Sequence, residues 1–241
     1  MKYSTRFNPS ISGALHIGHL YMALVNEAEA HRAGGKFIIR VDDTQEQINH
    51  WIKKDQRDKY YEEYQEQLSL FMDVDVWDLQ SQMLTPAEII GDNPLLKCLP
   101  AFAWASTETI EWRINTNQRT FQYNLCFVVE KAIWDFWEGV TLLIRGEDLI
   151  TESQLYEHIT SVLRLPIIRQ IYLPKLVSIT LDDILPEISK SKKSYSLDTQ
   201  INEFGIDRTL ELLKKACLID PDGEFFADNI KSNPIAKGFK E

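Results

Sequence analysis

The sequence predicts an α/β fold built on a parallel β-sheet, and two observations lead to this prediction. Residues 3–41 read in order as strand, loop, helix, turn and strand, which is the βαβ unit of parallel sheets. Two short apolar runs, residues 36–43 and 140–148, each end in a pair of acidic residues. Short apolar runs bounded by turn signals are typical of strands that a parallel sheet buries on both faces.

The first predicted helix spans residues 14–33, because its apolar residues recur at helical spacing. Gly34 and Gly35 end it, since glycine readily adopts the left-handed conformation found at helix C-termini. A strand over residues 3–7 precedes the helix, and a loop that contains Pro9 joins the two elements.

The N-terminus of this helix is a candidate anion site, because its first N–H groups have no partner within the helix. His16 and His19 are three residues apart, so we expect both rings on one face of the first turn, as donors to phosphate oxygens. Gly18 leaves room for a flat ring against the backbone, and Gly13 shapes the loop before the helix. On spacing alone, two surface histidines without a role remain an alternative, and a metal site lacks a third ligand nearby.

The middle and end of the chain carry further periodic segments. A charged helix is predicted over residues 53–72, with its stripe of Tyr60, Tyr64, Leu68 and Phe71 facing the core. Prolines and turn signals interrupt the region that follows, so we interpret it as an inserted subdomain outside the sheet. The later predicted elements are a periodic segment at 123–137, a strand at 140–148, a helix at 152–165, strand and loop at 167–181, a polar basic loop at 186–197 and an amphipathic helix at 206–218.

Composition limits the classes of function. The chain has 241 residues, with 36 acidic against 26 basic ones and a formal net charge of −10, which excludes a uniformly basic nucleic-acid coat. Its three cysteines lie far apart without a CxxC pair, which argues against a disulfide scaffold and a zinc ribbon. With neither a secretory signal nor an apolar run of membrane-spanning length, we expect a cytoplasmic protein without membrane contact.

Further clusters place charged side chains where ligands bind. Carboxylates follow predicted strands at Arg40–Thr44 and at Arg145–Asp148, and open α/β sheets bind ligands at this carboxyl edge. Residues 188–194 (ISKSKKS) contain three lysines and three serines, which makes them a donor-rich loop. Taken alone, this loop is better interpreted as a solvated surface segment.

These clusters occur in the order typical of one enzyme family. His16-Ile-Gly-His19, the strand ending in acids, the Arg-Gly-Glu-Asp strand and the lysine–serine loop resemble the motifs of class I aminoacyl-tRNA synthetases. Residues 6–20, 34–44 and 140–149 are similar to segments of glutamyl-tRNA synthetases and of their glutaminyl and glutamyl-queuosine relatives. The resemblance implies a Rossmann-like catalytic domain with a small insertion and a short helical C-terminal tail.

The resemblance also implies an ATP site. The ATP-binding residues that it implies are Pro9, His16, Gly18, His19, Ser189 and Lys190. Of these, His16, His19 and Lys190 are the implied catalytic residues, which stabilise negative charge at the reacting α-phosphate. Mg²⁺ is expected to arrive with the phosphates of ATP, and neither a protein metal cage nor zinc is expected.

A pocket for glutamate is the second implication of the resemblance. Its implied residues are Arg6, Ser10, Asp42, Tyr123 and Arg145. Arginine pairs with carboxylate in a bidentate fork, and Asp42 would hold the α-ammonium group. Arg145 favours glutamate over glutamine, because a neutral amide would leave a desolvated guanidinium unpaired, although a structural ion pair with a nearby acid is an alternative for this residue.

Several positions depart from the family pattern. Asp42 stands where glutamyl enzymes commonly have glutamate, and Phe127 stands where a polar pocket residue is expected. Glu130-Lys131 replaces a common pair of aspartates, and Glu187 opens the lysine–serine loop in place of a basic residue. Residues 134–138 form a small insertion.

The resemblance also predicts the domain organisation. We expect a split catalytic domain over residues 1–75 and 120–200, interrupted by a reduced acceptor-stem-type insertion at 76–119. Residues 201–241 are expected to form a short helical tail without an anticodon-binding domain.

The expected function is ATP-dependent activation of glutamate to glutamyl-adenylate, followed by transfer to an acceptor, with tRNA favoured. We expect a local basic loop that contains Lys190, Lys192 and Lys193 to make the contact with tRNA. Two alternatives remain open: a synthetase paralogue with a non-tRNA acceptor, and a catalytically silent regulatory protein that binds ATP or an amino acid.

Overall fold

The computed structural model describes five helices and nine strands. The described residues are 2–11, 13–43, 54–83, 109–113, 120–174, 176–178, 196–217, 219–230 and 235–236. The strands are β1 (Thr5–Phe7), β2 (Phe37–Val41), β3 (Val76–Leu79), β4 (Thr109–Arg113), β5 (Thr120–Asn124), β6 (Leu142–Gly146), β7 (Arg169–Leu173), β8 (Val177–Ser178) and β9 (Ile235–Ala236). The helices are α1 (Ile17–Arg32), α2 (Lys54–Ser69), α3 (Leu125–Trp137), α4 (Ile150–Val162) and α5 (Leu197–Ala216).

Five of the strands form one parallel sheet, in the order β3-β2-β1-β6-β7. The first strand lies in the middle of this sheet, because β1 pairs in parallel with β2 on one side and with β6 on the other. The predicted α/β fold with a parallel sheet is therefore confirmed. Among the described strands, β4 pairs with β5 and β8 with β9 in two separate small sheets.

Helices cover both faces of the sheet. Phe37 and Ile39 of β2 belong to the cluster formed with α1, α2 and α5, whereas Ile38 belongs to the cluster formed with α3 and α4. Successive side chains of a strand point to opposite faces, so each strand contributes to both cores. As predicted, Tyr64 and Leu68 of α2 are fully buried in the first cluster. No helix in the described part of the chain is both long and apolar enough to span a bilayer.

The predicted insertion begins at residue 76, but residues 76–79 form β3 of the main sheet, so the prediction is wrong for these four residues. This strand pairs with β2 in parallel, from Ile38 opposite Val76 to Val41 opposite Leu79, and so belongs to the main sheet. Its four residues are too few to show a period in the sequence, and pairing with the edge of β2 decides their conformation. Residues 84–108 and 114–119 of the predicted insertion lie outside the described part of the chain.

The last helix begins earlier than the sequence predicted. Helix α5 starts at Leu197 rather than at residue 206, because the Ser196 side chain accepts the backbone N–H of Thr199 and caps it. Gly205 interrupts the helix with a φ of 76°. This kink separates the amphipathic stretch that the sequence revealed from the turns before it.

Gly35 packs against the backbone just before β1. A Cβ atom at this position would lie 1.7 Å from the carbonyl oxygen of Tyr3 and 2.3 Å from its carbonyl carbon. Gly34, its neighbour, has a φ of 65° and open space around the Cβ position. The two glycines are therefore needed for different reasons, one for a close backbone approach and the other for a left-handed conformation.

We expect Gly35→Ala to lower the free energy of unfolding by more than about 3 kcal/mol, because only a shift of the backbone could relieve the overlap. Gly34→Ala is the matched control, with an expected loss of about 1 to 2 kcal/mol from the positive φ alone. Urea denaturation measures both losses. Equal losses in the two variants would contradict the importance of the close approach at Gly35.

Candidate active site

A cavity of about 440 Å³ opens at the carboxyl ends of β1, β2 and β6. Ligands of open α/β sheets bind where the strand order reverses, and here β2 and β6 leave β1 in opposite directions. The predicted site residues that line this cavity are Arg6, Pro9, Ser10, His16, Gly18, His19, Asp42 and Arg145. The fold thus brings them together, while the binding role of each stays a prediction.

His16 and His19 cap the N-terminus of α1. The Nδ1 atom of His16 accepts the backbone N–H of Gly18 at 3.1 Å, and the Nδ1 atom of His19 accepts that of His16 at 3.1 Å. His16 is therefore the residue before the helix, not part of its first turn as predicted. A nitrogen that accepts a hydrogen bond carries no proton, so each neutral ring carries its proton on Nε2.

The two imidazole rings stack with their centroids 3.8 Å apart. A Cβ atom on Gly18 would lie 3.0 Å from Cε1 of His16 and 3.1 Å from its Nδ1, which is tighter than ordinary contact. The space that glycine leaves is thus occupied by the His16 ring itself. This packing fixes the rings at the positive end of the helix dipole.

Hydrogen bonds on two sides hold the loop between β1 and α1. The backbone N–H of Asp42 donates to the carbonyl of Pro9 at 2.9 Å, and that of Ile11 donates to the carbonyl of Asp42 at 3.0 Å. On the other side, the buried Tyr64 hydroxyl of α2 donates to the carbonyl of Gly13 at 2.5 Å. Burial raises the pKa of Tyr64, which keeps this hydroxyl protonated as a donor.

The carboxylate of Asp135 in α3 binds arginines from two adjacent strands, β1 and β2. Asp135 accepts hydrogen bonds from Arg6 Nε at 2.9 Å and from Arg6 Nη2 at 2.7 Å. Arg40 Nη2 lies 2.9 Å from the same carboxylate, and the Tyr156 hydroxyl donates to it at 2.9 Å. Burial acts to raise the pKa of Asp135, but the charges of Arg6 and Arg40 outweigh it and hold the pKa well below the usual range.

Residues 134–138, the short insertion seen in the sequence, supply the carboxylates that neutralise these arginines. Asp135 lies in the last turn of α3, and Glu138 follows one residue after the helix ends at Trp137. The Glu138 carboxylate accepts a hydrogen bond from Arg40 Nε at 3.2 Å. In this buried cluster, Arg6 and Arg40 are balanced by Asp135 and Glu138.

Arg6 makes hydrogen bonds within the protein, and its role in binding glutamate stays a prediction. Its Nε and Nη2 atoms are bound to Asp135, and its Nη1 donates to Asn8 Oδ1 at 3.3 Å. The edge of the guanidinium formed by Nε and Nη2 is therefore engaged within the protein, because Arg6 of β1 lies against Asp135 of α3. Arg6 nevertheless forms part of the cavity wall.

Arg145 lies in a second charged group on the cavity wall. Its Nη1 donates to Ser153 Oγ at 3.1 Å and lies 3.6 Å from Glu152 Oε1. Lys131 Nζ donates to the same Glu152 oxygen at 3.2 Å. The Nη2 atom of Arg145 is buried and makes no hydrogen bond with the described residues. The ion pair named above as an alternative is thus present, but it leaves one nitrogen of the guanidinium unsatisfied.

Burial shifts the pKa values of this second group. It lowers the pKa of Lys131 and of Arg145, and the charge of Arg6 lowers that of Arg145 further. Burial acts to raise the pKa of Glu152, but the charges of Lys131 and Arg145 reverse the direction and lower it. The group therefore holds two cations around one ionised carboxylate.

Some predicted site residues cannot be placed. Tyr123 lies in β5 opposite Ile110, and its side chain is outside the described part of the chain. The residues of the lysine–serine loop, which also lie outside it, are Ser189, Lys190, Lys192 and Lys193.

Three features of the site were not predicted from the sequence: Asp135, Glu152 and the cavity position of Lys131. A signal was present, because β1, β2 and β6 each carry an arginine within an apolar strand. Buried guanidinium groups require carboxylates on the helix above them.

Comparisons with known proteins give a family match for the N-terminal part of this chain. The family model described as "tRNA synthetases class I (E and Q), catalytic domain" matches residues 2–70. Glutamate–tRNA ligase 1 of Roseobacter denitrificans is 56% identical over 41 residues, which cover 17% of this chain and 9% of that protein. Glutamyl-Q tRNA(Asp) synthetase of Methylococcus capsulatus is 49% identical over 45 residues, 19% of this chain and 15% of that protein.

A solved structure extends the likeness in fold over most of the chain. The glutamate tRNA ligase of Elizabethkingia meningosepticum superposes with a TM-score of 0.51 and 17% sequence identity, over 86% of this chain and 54% of that one. This chain thus matches about half the length of the solved ligase and a small part of the two sequence relatives. The resemblance inferred from the sequence motifs is confirmed.

We expect Asp135→Asn to lower the free energy of unfolding by about 3–5 kcal/mol at neutral pH, because two buried guanidinium groups lose a counter-charge. The folded pKa lies below that of the unfolded chain, so the stabilisation is complete above about pH 4 and shrinks as the pH falls further. Urea denaturation between pH 7 and pH 3 should show a constant gap to wild type that narrows only in acid. The control is Asp222→Asn, at an exposed position, and similar small losses in both variants would contradict the role of Asp135.

Proposed function

From the resemblance of this chain to the catalytic domain of the class I glutamyl- and glutaminyl-tRNA synthetases, we propose that it activates glutamate with ATP. The α-carboxylate of glutamate attacks the α-phosphate, pyrophosphate leaves, and glutamyl-adenylate forms. The glutamyl group then passes to an acceptor, for which we propose tRNA. The compartment we expect for this reaction is the cytoplasm.

The observation that carries the glutamate proposal is the unsatisfied nitrogen of Arg145. Its Nη2 is buried and has no hydrogen-bond acceptor among the described residues, although the residue lines the cavity. A buried N–H group without a partner is costly, and a side-chain carboxylate would satisfy both its hydrogen bond and its charge. Asp42, buried in the wall of the same cavity, supplies the negative charge that an α-ammonium group needs.

The N-terminus of α1 supports the ATP half of the proposal. Both histidine Nδ1 atoms are used as backbone caps, which leaves Nε2 as the protonated nitrogen that can donate to phosphate oxygens. Ser196 forms a β-bridge with His16, and Lys190 precedes Ser196 by six positions in the chain. We therefore propose Lys190 as the third group at the phosphates.

Magnesium belongs to this proposal as a companion of ATP. No cluster of three or more His, Cys, Asp or Glu side chains suited to a metal ion occurs in the part of the chain that the structure describes. Asp148 lines the cavity and offers carboxylate oxygens, which Mg²⁺ prefers. When bound with ATP, Mg²⁺ neutralises phosphate charge. The protein's own contribution is to orient the phosphates at the end of α1.

One observation favours a second function. Because the Nε and Nη2 edge of the Arg6 guanidinium is bound to Asp135, that edge is lost for binding a glutamate carboxylate. A protein that binds ATP or an amino acid for regulation, without turnover, is compatible with that loss.

The decisive experiment is the exchange of labelled pyrophosphate into ATP with each amino acid, with and without total tRNA. Exchange with glutamate alone among the amino acids supports the proposal. A requirement for tRNA supports tRNA as the acceptor, and exchange without tRNA favours a different acceptor. If the protein binds ATP but shows no exchange either with or without tRNA, the proposed activation reaction is overturned and the regulatory function is favoured.

Two variants of His19 separate its capping role from its proposed role at phosphate. Asparagine places an oxygen where Nδ1 lies, so His19→Asn should keep the helix cap and lose the Nε2 donor, with exchange about 100-fold slower or more. Glutamine at this third helical position accepts the N-cap N–H through its amide oxygen in a capping box, so His19→Gln should also keep the cap, and because its amide still carries N–H donors it should retain more activity than His19→Asn. Exchange rates and urea denaturation measure the two effects. A full exchange rate in His19→Asn would exclude Nε2 from the reaction.

A further inference from the structure

Two buried residues of α4 contact the guanidinium of Arg145. Its Nη1 atom donates to Ser153 Oγ at 3.1 Å, and its central carbon lies 4.9 Å from the centre of the Tyr156 ring. Ser153 has no exposed surface, and Tyr156 is 1% exposed. The two residues are three positions apart in the helix, so both contact the guanidinium from the same face of α4.

Glu152, the neighbour of Ser153, lies near this guanidinium without a hydrogen bond to it. Its Oε1 atom is 3.6 Å from Arg145 Nη1, and it accepts a hydrogen bond from Lys131 Nζ at 3.2 Å. An arginine and a carboxylate at close range favour a bidentate pair with two parallel N–H···O bonds. The contact of Nη1 with Ser153 takes the place of such a pair.

The unsatisfied nitrogen of Arg145 follows from this arrangement. Its Nη2 atom is buried and has no hydrogen-bond acceptor in the described part of the chain. A bidentate pair with Glu152 would satisfy a second nitrogen of the guanidinium within the protein. Because a buried N–H group without an acceptor is unfavourable, the guanidinium turns toward Glu152 unless another contact holds it in place.

We propose that Ser153 is the positioning residue of Arg145: by accepting Nη1, it keeps the guanidinium out of a bidentate pair with Glu152 and leaves Nη2 for the side-chain carboxylate of glutamate. This inference rests on the proposed function and adds a residue to it. Without the Ser153 hydroxyl, Arg145 pairs with Glu152. The preference for a carboxylate over a neutral amide then falls, because the guanidinium already has its acceptor and its counter-charge.

The test compares glutamate with glutamine in Ser153→Ala, which removes only the hydroxyl. Isothermal titration calorimetry gives the ratio of the dissociation constants for glutamine and glutamate, and pyrophosphate exchange gives the corresponding ratio of kcat/KM. We expect both ratios to fall roughly 5- to 20-fold, because a hydrogen bond to a charged group is lost and a competing ion pair forms. If Ser153→Ala does not fold, Ser153→Cys replaces it, since a thiol is a weak acceptor of similar size.

A second background tests the mechanism, because the proposed role of Ser153 depends on Glu152. In Glu152→Gln the competing negative charge is absent, so the further change Ser153→Ala should lower the ratio by less than about twofold. The cavity wall also contains Arg6, Asp42 and Asp148, and every variant retains them. The comparison of Ser153→Ala in the two backgrounds therefore isolates the effect of Glu152.

Thr160 provides the matched control in the same helix. It is 5% exposed, its Oγ1 atom donates to the carbonyl of Glu157 at 2.9 Å, and it is not among the described residues that line the cavity. Thr160→Val removes a buried hydroxyl, as Ser153→Ala does, and its ratio should equal that of wild type. Urea denaturation shows whether each variant is folded. If Glu152→Gln does not fold, the ratio in Ser153→Ala against that in Thr160→Val still decides the proposal.

The outcomes separate this inference from the proposed function. A wild-type protein that binds glutamate but shows no exchange contradicts the activation reaction, while the binding ratios still test Ser153. An unchanged ratio in Ser153→Ala, or an equal fall in the wild-type and Glu152→Gln backgrounds, would overturn the positioning role of Ser153. A wild-type protein that binds neither amino acid would overturn both proposals.

Discussion

The carboxylate of Asp135 is the constraint on which the arrangement of this domain depends. Three neighbouring strands carry arginines within apolar sequences, and burying their guanidinium groups without a counter-charge would cost several kcal/mol each. Asp135 accepts hydrogen bonds from Arg6 and Tyr156 and forms an ion pair with Arg40. It thereby joins two strands of the sheet to two helices, α3 and α4.

That buried cluster also determines what the cavity offers to a ligand. By pairing with Arg6 and Arg40, Asp135 and Glu138 neutralise two of the buried cations near the cavity. The other charged residues that line the cavity are Asp42, Lys131, Arg145, Asp148 and Glu152.

In the part of the cavity wall formed by the loop after β1 and the start of α1, hydrogen bonds satisfy the backbone groups. Pro9, Ile11 and Asp42 tie the loop after β1 to the end of β2, and Tyr64 ties it to α2. The histidine rings satisfy two N–H groups at the start of α1, which fixes their orientation and their protonated nitrogen together. The loop held by these hydrogen bonds and the capped end of α1 are the features on which the proposed phosphate site rests.

The sequence alone determined the fold class and one half of the site. Apolar runs, glycine stops and helical spacing depend on neighbours within a few residues, so they predicted β1, α1, β2 and the carboxyl-edge position of the site. The ordered motifs identified the family resemblance, and eight of the predicted residues line one cavity. The start of α1 differs from the predicted residue 14 by three positions and that of α5 from the predicted residue 206 by nine, because the side chains of His16 and Ser196 cap the helices and Gly205 breaks the period of α5.

Only the tertiary structure decided how the charges are paired. Arg6 and Asp135 are 129 positions apart, and nothing in their local sequences shows that the fork of Arg6 is already engaged. Lys131 and Glu152 enter the cavity wall because α3 and α4 pack side by side on one face of the sheet. The short strand β3 likewise depends on an edge that β2 provides. Pairing of charges and of strand edges is a property of distance in space, which a pattern along the chain does not contain.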